Sequence, residues 1–282
     1  MKICRSIQEC RATTAALRAT GKTIGFVPTM GFLHDGHLSL ITKAQAECDA
    51  VIVSIFVNPT QFGQTADLDQ YPRDEPRDLA LLTSVNVAAV FLPEATEVYP
   101  PGNETIVETT RMANILHGKI RPGHFRGVAS VVARLFNIVQ PDVAVFGEKD
   151  YQQLQVIKRM VQDLHMPVRI LGGPTVREAD GLAMSSRNVR LSPEDRAAAT
   201  ILNRALCAAE ASATHPGATV GDLRDIITAT IAAEPRATLE GLDTVAADTL
   251  TELSGRLAGP VAVMISVAFG DILLIDQKVV QA

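Results

Sequence analysis

The hydrophobic positions of the chain change period several times, and each change marks an element. Ile24-Gly25-Phe26-Val27 is a short apolar run that Pro28 is expected to stop. After a glycine-bearing loop, Leu38 to Glu47 reads as a helix with Leu40, Ile41 and Ala44 inward. Val51-Ile52-Val53-Ser54-Ile55-Phe56-Val57 is β-branched and apolar almost throughout, as expected of a strand covered on both faces. A helical stretch from Glu75 to about Thr83 leads to the apolar run Ala88 to Leu92. Strands alternating with helices at this spacing predict a parallel sheet with right-handed crossovers.

The pattern then resumes. Val128, Val131, Val132, Leu135 and Val139 follow one helix face until Pro141. Val143 to Phe146 reads as a buried strand, and Leu154, Ile157, Met160, Val161 and Leu164 line the next helix. A short strand, Val168 to Leu171, runs into Gly172-Gly173-Pro174, punctuation that sets a domain boundary near residue 175. Beyond it come alanine-rich helices, Pro193 to about Thr214 and Val220 to Ala233. They precede apolar runs at Leu242 to Ala246, Val261 to Phe269 and Ile272 to Ile275. Helices followed by strands predict a small α+β domain. The expected organisation is therefore α/β with a parallel sheet over residues 1–175, and a smaller α+β domain over 176–282. The 282 residues suffice for both, at about 150 residues per domain.

Composition narrows the function classes. Hydrophobic residues at 47% and charged residues at 20% exclude a disordered tail, a collagen and a coiled coil. Trp is absent and aromatics are 4%, so Val, Ile, Leu and Ala must fill a sheet-rich core. A net charge of −5 gives no basic excess for nucleic acid. No apolar run approaches the roughly 20 residues of a membrane-spanning helix. Met1-Lys2-Ile3-Cys4-Arg5-Ser6 lacks the apolar region of a secretory signal. Cys4, Cys10, Cys48 and Cys207 lie scattered without a CxxC pair, so reduced thiols in a cytoplasmic protein are expected.

The chemistry concentrates at strand ends. Pro28-Thr29-Met30-Gly31-Phe32-Leu33-His34-Asp35-Gly36-His37 joins a buried strand to a helix, where an open α/β sheet places its ligand. Gly31 and Gly36 let backbone approach a bound group, and the helix start offers N–H groups to an anion flanked by two imidazoles. The plain alternative is a strand-to-helix turn with two solvated histidines. Metal ligation is the weaker functional reading, because His34 and His37 lack the i, i+4 spacing and no third ligand stands nearby.

Met184-Ser185-Ser186-Arg187-Asn188 supplies two hydroxyls and a guanidinium fork suited to phosphate. Alone it is an ordinary surface loop, and it gains weight from the histidine turn. In Gly147-Glu148-Lys149-Asp150, Lys149 is a point charge for phosphate and Asp150 a carboxylate for Mg²⁺, against the reading of a solvated turn. Gln61 and Gln153 follow strand ends and suit a hydroxylated organic acid, while Asn58-Pro59 is equally explained by turn chemistry. Arg121-Pro122-Gly123-His124-Phe125-Arg126-Gly127 either reaches the same anion or is a solvated basic turn.

Taken in order, these segments, with Ser54 to Phe62, Tyr71-Pro72-Arg73 and Asp180 to Asn188, resemble the pantothenate synthetase (pantoate–β-alanine ligase) family. The resemblance is dense from about Gly21 to Arg196 and thins to pieces such as Gly270-Asp271 in the tail. It implies a Rossmann-like nucleotidylyltransferase domain, a C-terminal lid, and a homodimer. The implied reaction joins (R)-pantoate to β-alanine through pantoyl adenylate, with ATP as co-substrate and Mg²⁺ as cofactor. Carried over by position, ATP meets Met30, Gly31, Phe32, Leu33, His34, Asp35, Gly36 and His37. It also meets Gly147, Glu148, Lys149, Asp150, Val176, Met184, Ser185, Ser186 and Arg187. Gln61 and Gln153 are implied to contact pantoate, Gln61 also β-alanine, and His37 to donate a proton. His37, His34, Lys149, Ser185, Ser186 and Arg187 form the expected catalytic set, and Asp150 the expected metal contact. Phe32 stands where many relatives carry a smaller or polar residue. Two other classes stay open on sequence: a nucleotidyltransferase that stops at a stable nucleotidyl product, and a non-catalytic nucleotide-binding module.

Overall fold

The computed structural model describes residues 1–63 and 68–281. The chain divides into two compact units, one of residues 1–147 and 156–174, the other of 148–155 and 175–282.

The first unit is built on a six-stranded sheet: β1 (Lys2–Cys4), β2 (Ile24–Thr29), β3 (Ala50–Ile55), β4 (Ala89–Phe91), β5 (Val143–Gly147) and β6 (Arg169–Gly173). All its pairings are parallel, in the order β1-β4-β3-β2-β5-β6. From β2 the chain winds through β3 to β4, then returns to lay β5 on the other side of β2. The strand order reverses between β2 and β5, the point at which open α/β sheets place ligands beyond the strand carboxyl ends.

Helices cover both faces, which is why the strands are apolar nearly throughout. Val27, Val53, Val90 and Val145 pack with Leu40, Ile41 and Ala44 of α2 (Asp35–Glu47) and Leu82 of α3 (Glu75–Ser84). Phe26 and Phe146 point to the opposite face, where each meets Phe136 of α4 (His124–Val139) edge-on. α1 (Ile7–Ala19) begins at a Ser6–Glu9 capping box.

Several expectations shift. Pro28 does not stop β2, which runs to Thr29. Successive residues of a strand direct their backbone groups to alternate neighbours, and the Thr29 carbonyl accepts from Phe56 on the β3 side. The imino nitrogen of Pro28 therefore faces β5, whose pairing with β2 ends at Phe26↔Ala144, and no ladder bond is lost. α2 starts at Asp35 rather than Leu38, so His37 lies within its first turn. β1 and α1 carry little periodicity: β1 has three residues, and the buried face of α1 is Cys10, Thr13 and Thr14.

The second unit holds the antiparallel sheet β7 (Thr238–Ala246), β8 (Val261–Phe269) and β9 (Ile272–Val280), in that order. Its core joins Leu202, Ala205, Leu206 and Ala209 of α6 (Ile201–Ala213), Leu223, Ile227 and Ile231 of α7 (Val220–Ala232), and Val261, Val263, Ile265 and Val267 of β8. The single helix expected from Pro193 is two, since Pro193–Ala198 ends before α6 begins. Between them Leu202 N–H reaches back three residues to Ala199, a tightened turn.

α4 crosses the turn Pro59–Gln61 so closely that a Cβ at Gly127 would lie 2.5 Å from the Thr60 carbonyl oxygen. Gly127→Ala is expected to cost about 1–3 kcal/mol in urea unfolding, because backbone stands in the way. An unchanged midpoint would show that the crossing relaxes freely.

Candidate functional site

The β2–α2 turn is shaped by groups distant in sequence. Gly31 has φ +81°, and a Cβ there would sit 2.9 Å from the Ile55 side chain. Phe32 follows at φ +51°, a conformation uncommon for a residue with a Cβ. Both Asp78 carboxylate oxygens hold this course: Phe32 N–H donates to one at 2.7 Å and Leu33 N–H to the other at 2.8 Å. Asp78 is 1% exposed, and burial pushes its carboxyl above the usual range, against the two N–H groups and the nearby Arg77 guanidinium. Arg77 also lies over the Phe32 ring at 5.1 Å, which accounts for the aromatic at this position. The Leu33 side chain belongs to the core.

The turn delivers His34 to the N-cap of α2, with the imidazoles of His34 and His37 at 4.1 Å between centroids. His34 N–H donates to His37 Nδ1 at 3.3 Å. A neutral His37 accepting at Nδ1 carries its proton on Nε2. The helix N-terminus adds its own N–H groups and positive dipole end.

Gln61 belongs to the same unit. Its Nε2 donates to the Met30 sulfur at 3.1 Å, and its Oε1 accepts from buried Asn58 at 3.0 Å. His124 Nδ1 donates to the Gln61 carbonyl at 2.9 Å. The expected basic turn at Arg121–Gly127 thus supports the Gln61 backbone through His124 and Gly127.

The second unit carries the remaining segments. Glu148–Asp150 forms a 3₁₀ turn at the start of α5 (Tyr151–Asp163). Gln277 Nε2 donates to the Glu148 carbonyl at 2.7 Å, and the Tyr151 hydroxyl donates to the Ala247 carbonyl at 2.9 Å. Lys149 and Gln153 are half-buried, and Asp150 is exposed. Arg177 forks onto buried Asp276 at 2.6 and 3.0 Å and donates to the Gly181 carbonyl at 3.1 Å. That holds the bend from which Met184 to Arg187 emerge, with Met184 N–H on the Val176 carbonyl at 3.0 Å. Adjacent residues of β9, Asp276 and Gln277, thereby tie the 177–187 and 148–150 segments to one strand. The first unit gathers Met30 to His37 with Gln61; the second gathers Val176 with Met184 to Arg187 and, through β9, Glu148 to Asp150.

Asp78, Arg177, Asp276 and Gln277 are supporting residues to which sequence reasoning gave no role, and Asn58 is one it explained by turn chemistry. The available signal for Asp78 is its place one turn before Leu82, an acid on the buried face of α3. Among the described residues no group of three or more His, Cys, Asp or Glu could enclose a metal ion. Asp150, a single exposed carboxylate, suits an ion that brings most of its ligands with a phosphate. The four cysteines are free, and burial pushes the Cys10 thiol up to about 12, which makes it inert.

The family model described as pantoate-beta-alanine ligase matches residues 2–279. A pantothenate synthetase of Agrobacterium fabrum is 51% identical over 280 residues, covering 99% of this chain and 96% of the relative. A crystal structure of the pantothenate synthetase of Thermus thermophilus superposes with a TM-score of 0.94 at 46% identity, covering 100% of both chains. A Francisella tularensis pantoate-beta-alanine ligase, crystallised with beta-gamma ATP and beta-alanine, gives 0.81 at 36% identity, covering 99% of this chain and 97% of that one.

Asp78→Ala would leave two buried N–H groups without an acceptor, for an expected loss of about 2–5 kcal/mol in denaturant unfolding. Relative to Asp78→Asn, the wild-type protein should lose stability as pH rises from about 4 through the raised carboxyl pKa. The sign follows because burial favours the neutral carboxyl in the folded state. Parallel pH–stability curves for the two proteins would contradict the burial effect.

Proposed function

The chain belongs to the pantoate–β-alanine ligase family, and we infer that it condenses (R)-pantoate with β-alanine to pantothenate, cleaving ATP to AMP and pyrophosphate. The single observation in the fold that best supports this reading is His37, held at a helix N-terminus beside His34 with its Nδ1 accepting from the His34 N–H. Such a group suits charge that grows on a phosphate.

The pantoate carboxylate is already ionised at neutral pH, so adenylation needs no base to create the nucleophile. It needs alignment, and relief of the charge that builds on the α-phosphate and the departing pyrophosphate. The residues proposed for that relief are His34, His37, Lys149, Ser185, Ser186 and Arg187. Backbone from Met30 to His37, Gly147 to Asp150, Val176 and Met184 is proposed to line the nucleotide. Mg²⁺ bound with the triphosphate would neutralise further charge, and Asp150 is the carboxylate proposed to hold it, directly or through water. Gln61 and Gln153 are proposed for pantoate, with Gln61 also near β-alanine.

Pantoyl adenylate then stays bound while pyrophosphate leaves. The unprotonated amine of β-alanine attacks the acyl carbon, the acyl–phosphate bond breaks, and AMP departs. The amine proton passes to solvent or a neighbouring group. We further propose that residues 1–175 bind ATP and pantoate, that 176–282 act as the substrate-closing region, and that the protein is a cytoplasmic homodimer. No described helix is long and apolar enough to cross a membrane.

Incubation with ATP and pantoate should yield pyrophosphate and an enzyme-held adenylate, and adding β-alanine should yield pantothenate and AMP. A free nucleotidyl product that ignores β-alanine would contradict the ligase reading. His37→Ala should slow single-turnover adenylation by roughly 10²–10³-fold. Normal pyrophosphate release in that variant would remove His37 from the chemistry. Gln153→Ala should weaken pantoate binding and spare ATP; equal losses of both would indicate structural damage.

A further inference from the structure

A glutamine amide has two ends of opposite polarity, and the end it presents decides which ligand atom it takes. In Gln61 the oxygen end is occupied, because Asn58 Nδ2 donates to Gln61 Oε1 at 3.0 Å and to the Gly127 carbonyl at 3.2 Å. The NH₂ end meets only the Met30 sulfur at 3.1 Å among the described contacts, a weak acceptor that leaves donor capacity for an oxygen.

The orientation of Asn58 is determined in turn. Its Oδ1 faces three donors: Thr60 N–H at 3.2 Å, Thr60 Oγ1 at 2.9 Å and the Tyr99 hydroxyl at 2.9 Å. A half-turn of the Asn58 amide would set NH₂ against the Thr60 N–H and oxygen against the Gly127 carbonyl, while the two hydroxyls, 3.2 Å from each other, share the Oδ1 side. One polarity alone satisfies the cluster. Tyr99 is itself held, with Arg134 4.8 Å above its ring and Phe56 at 6.3 Å. Burial raises the pKa of its phenol, so the hydroxyl keeps the proton it places on Asn58 Oδ1.

We propose that Tyr99 and Thr60 are positioning residues that act through Asn58 to hold Gln61 with its NH₂ toward the substrate, so that this subsite selects an oxygen acceptor such as a carboxylate. The inference rests on the reading that Gln61 meets pantoate, and extends it to the residues that set the polarity of the contact.

Isothermal titration with pantoate, and separately with ATP, tests the relay in three variants. Asn58→Asp keeps an oxygen for the three donors but places a second oxygen where Nδ2 stood, so Gln61 must turn its NH₂ inward. Its pantoate binding is expected to weaken about ten- to a hundredfold, with ATP binding unchanged. The double variant Thr60→Val/Tyr99→Phe preserves shape and removes both hydroxyl donors; about two- to tenfold weaker pantoate binding is expected. Should Asn58→Asp fail to fold, the double variant decides. Wild-type pantoate binding in a folded relay variant, or equal losses of pantoate and ATP, overturns the proposal. Gln61→Ala separates the two readings. Unchanged pantoate binding there refutes the Gln61 contact itself, whereas weakened binding there beside intact relay variants refutes only the relay.

Discussion

A buried carboxyl group on α3 shapes the turn from β2 to α2 in the first unit. Asp78 accepts the N–H groups of Phe32 and Leu33 in the segment where the chain leaves β2 through two successive positive-φ residues. A bulky residue in that region costs roughly 1–2 kcal/mol, and the two hydrogen bonds to Asp78 oppose that cost. His34 reaches the N-cap of α2 by that path, and His37 sits one turn along with its Nδ1 satisfied. The side chains proposed for phosphate therefore take their orientation from a residue that belongs to the scaffold.

The same device recurs around each of the other segments. Asn58 joins the turn after β3 to Gly127 on α4, and Asp276 and Gln277 join β9 to the Arg177 and Glu148 segments. In each case a buried polar group spans elements far apart in the chain and satisfies backbone or amide groups that burial would otherwise leave costly. Apolar packing builds the sheets, but it is non-directional. Hydrogen bonds with fixed donors and acceptors supply the direction that a substrate site requires.

A net charge of −5 gives no overall attraction for the anionic nucleotide proposed as substrate. The groups proposed for it are local: a helix N-terminus beside two imidazoles in one unit, and a lysine, two hydroxyls and an arginine in the other. Local fields of this kind act at short range, where salt screens them little.

The alternating strands and helices, the parallel sheet, the α+β character of the C-terminal region and the order of the motifs were all legible in the amino-acid sequence. Each rests on periods or neighbours within a few residues. Val51 to Val57 announces a strand covered on both faces by its own composition, and Leu40, Ile41 and Ala44 announce one helix face. β1 and α1 were not legible, because three residues show no period and the buried face of α1 is Cys and Thr. The start of α2 was missed because its first turn is polar. Sequence alone determined which side chains are proposed for the site; tertiary structure decided which distant groups hold the segments that carry them. The Asp78 bond to Phe32 spans 46 positions and the Arg177 bond to Asp276 spans 99, and a hydrogen bond between residues so far apart imprints no pattern on the segments it joins.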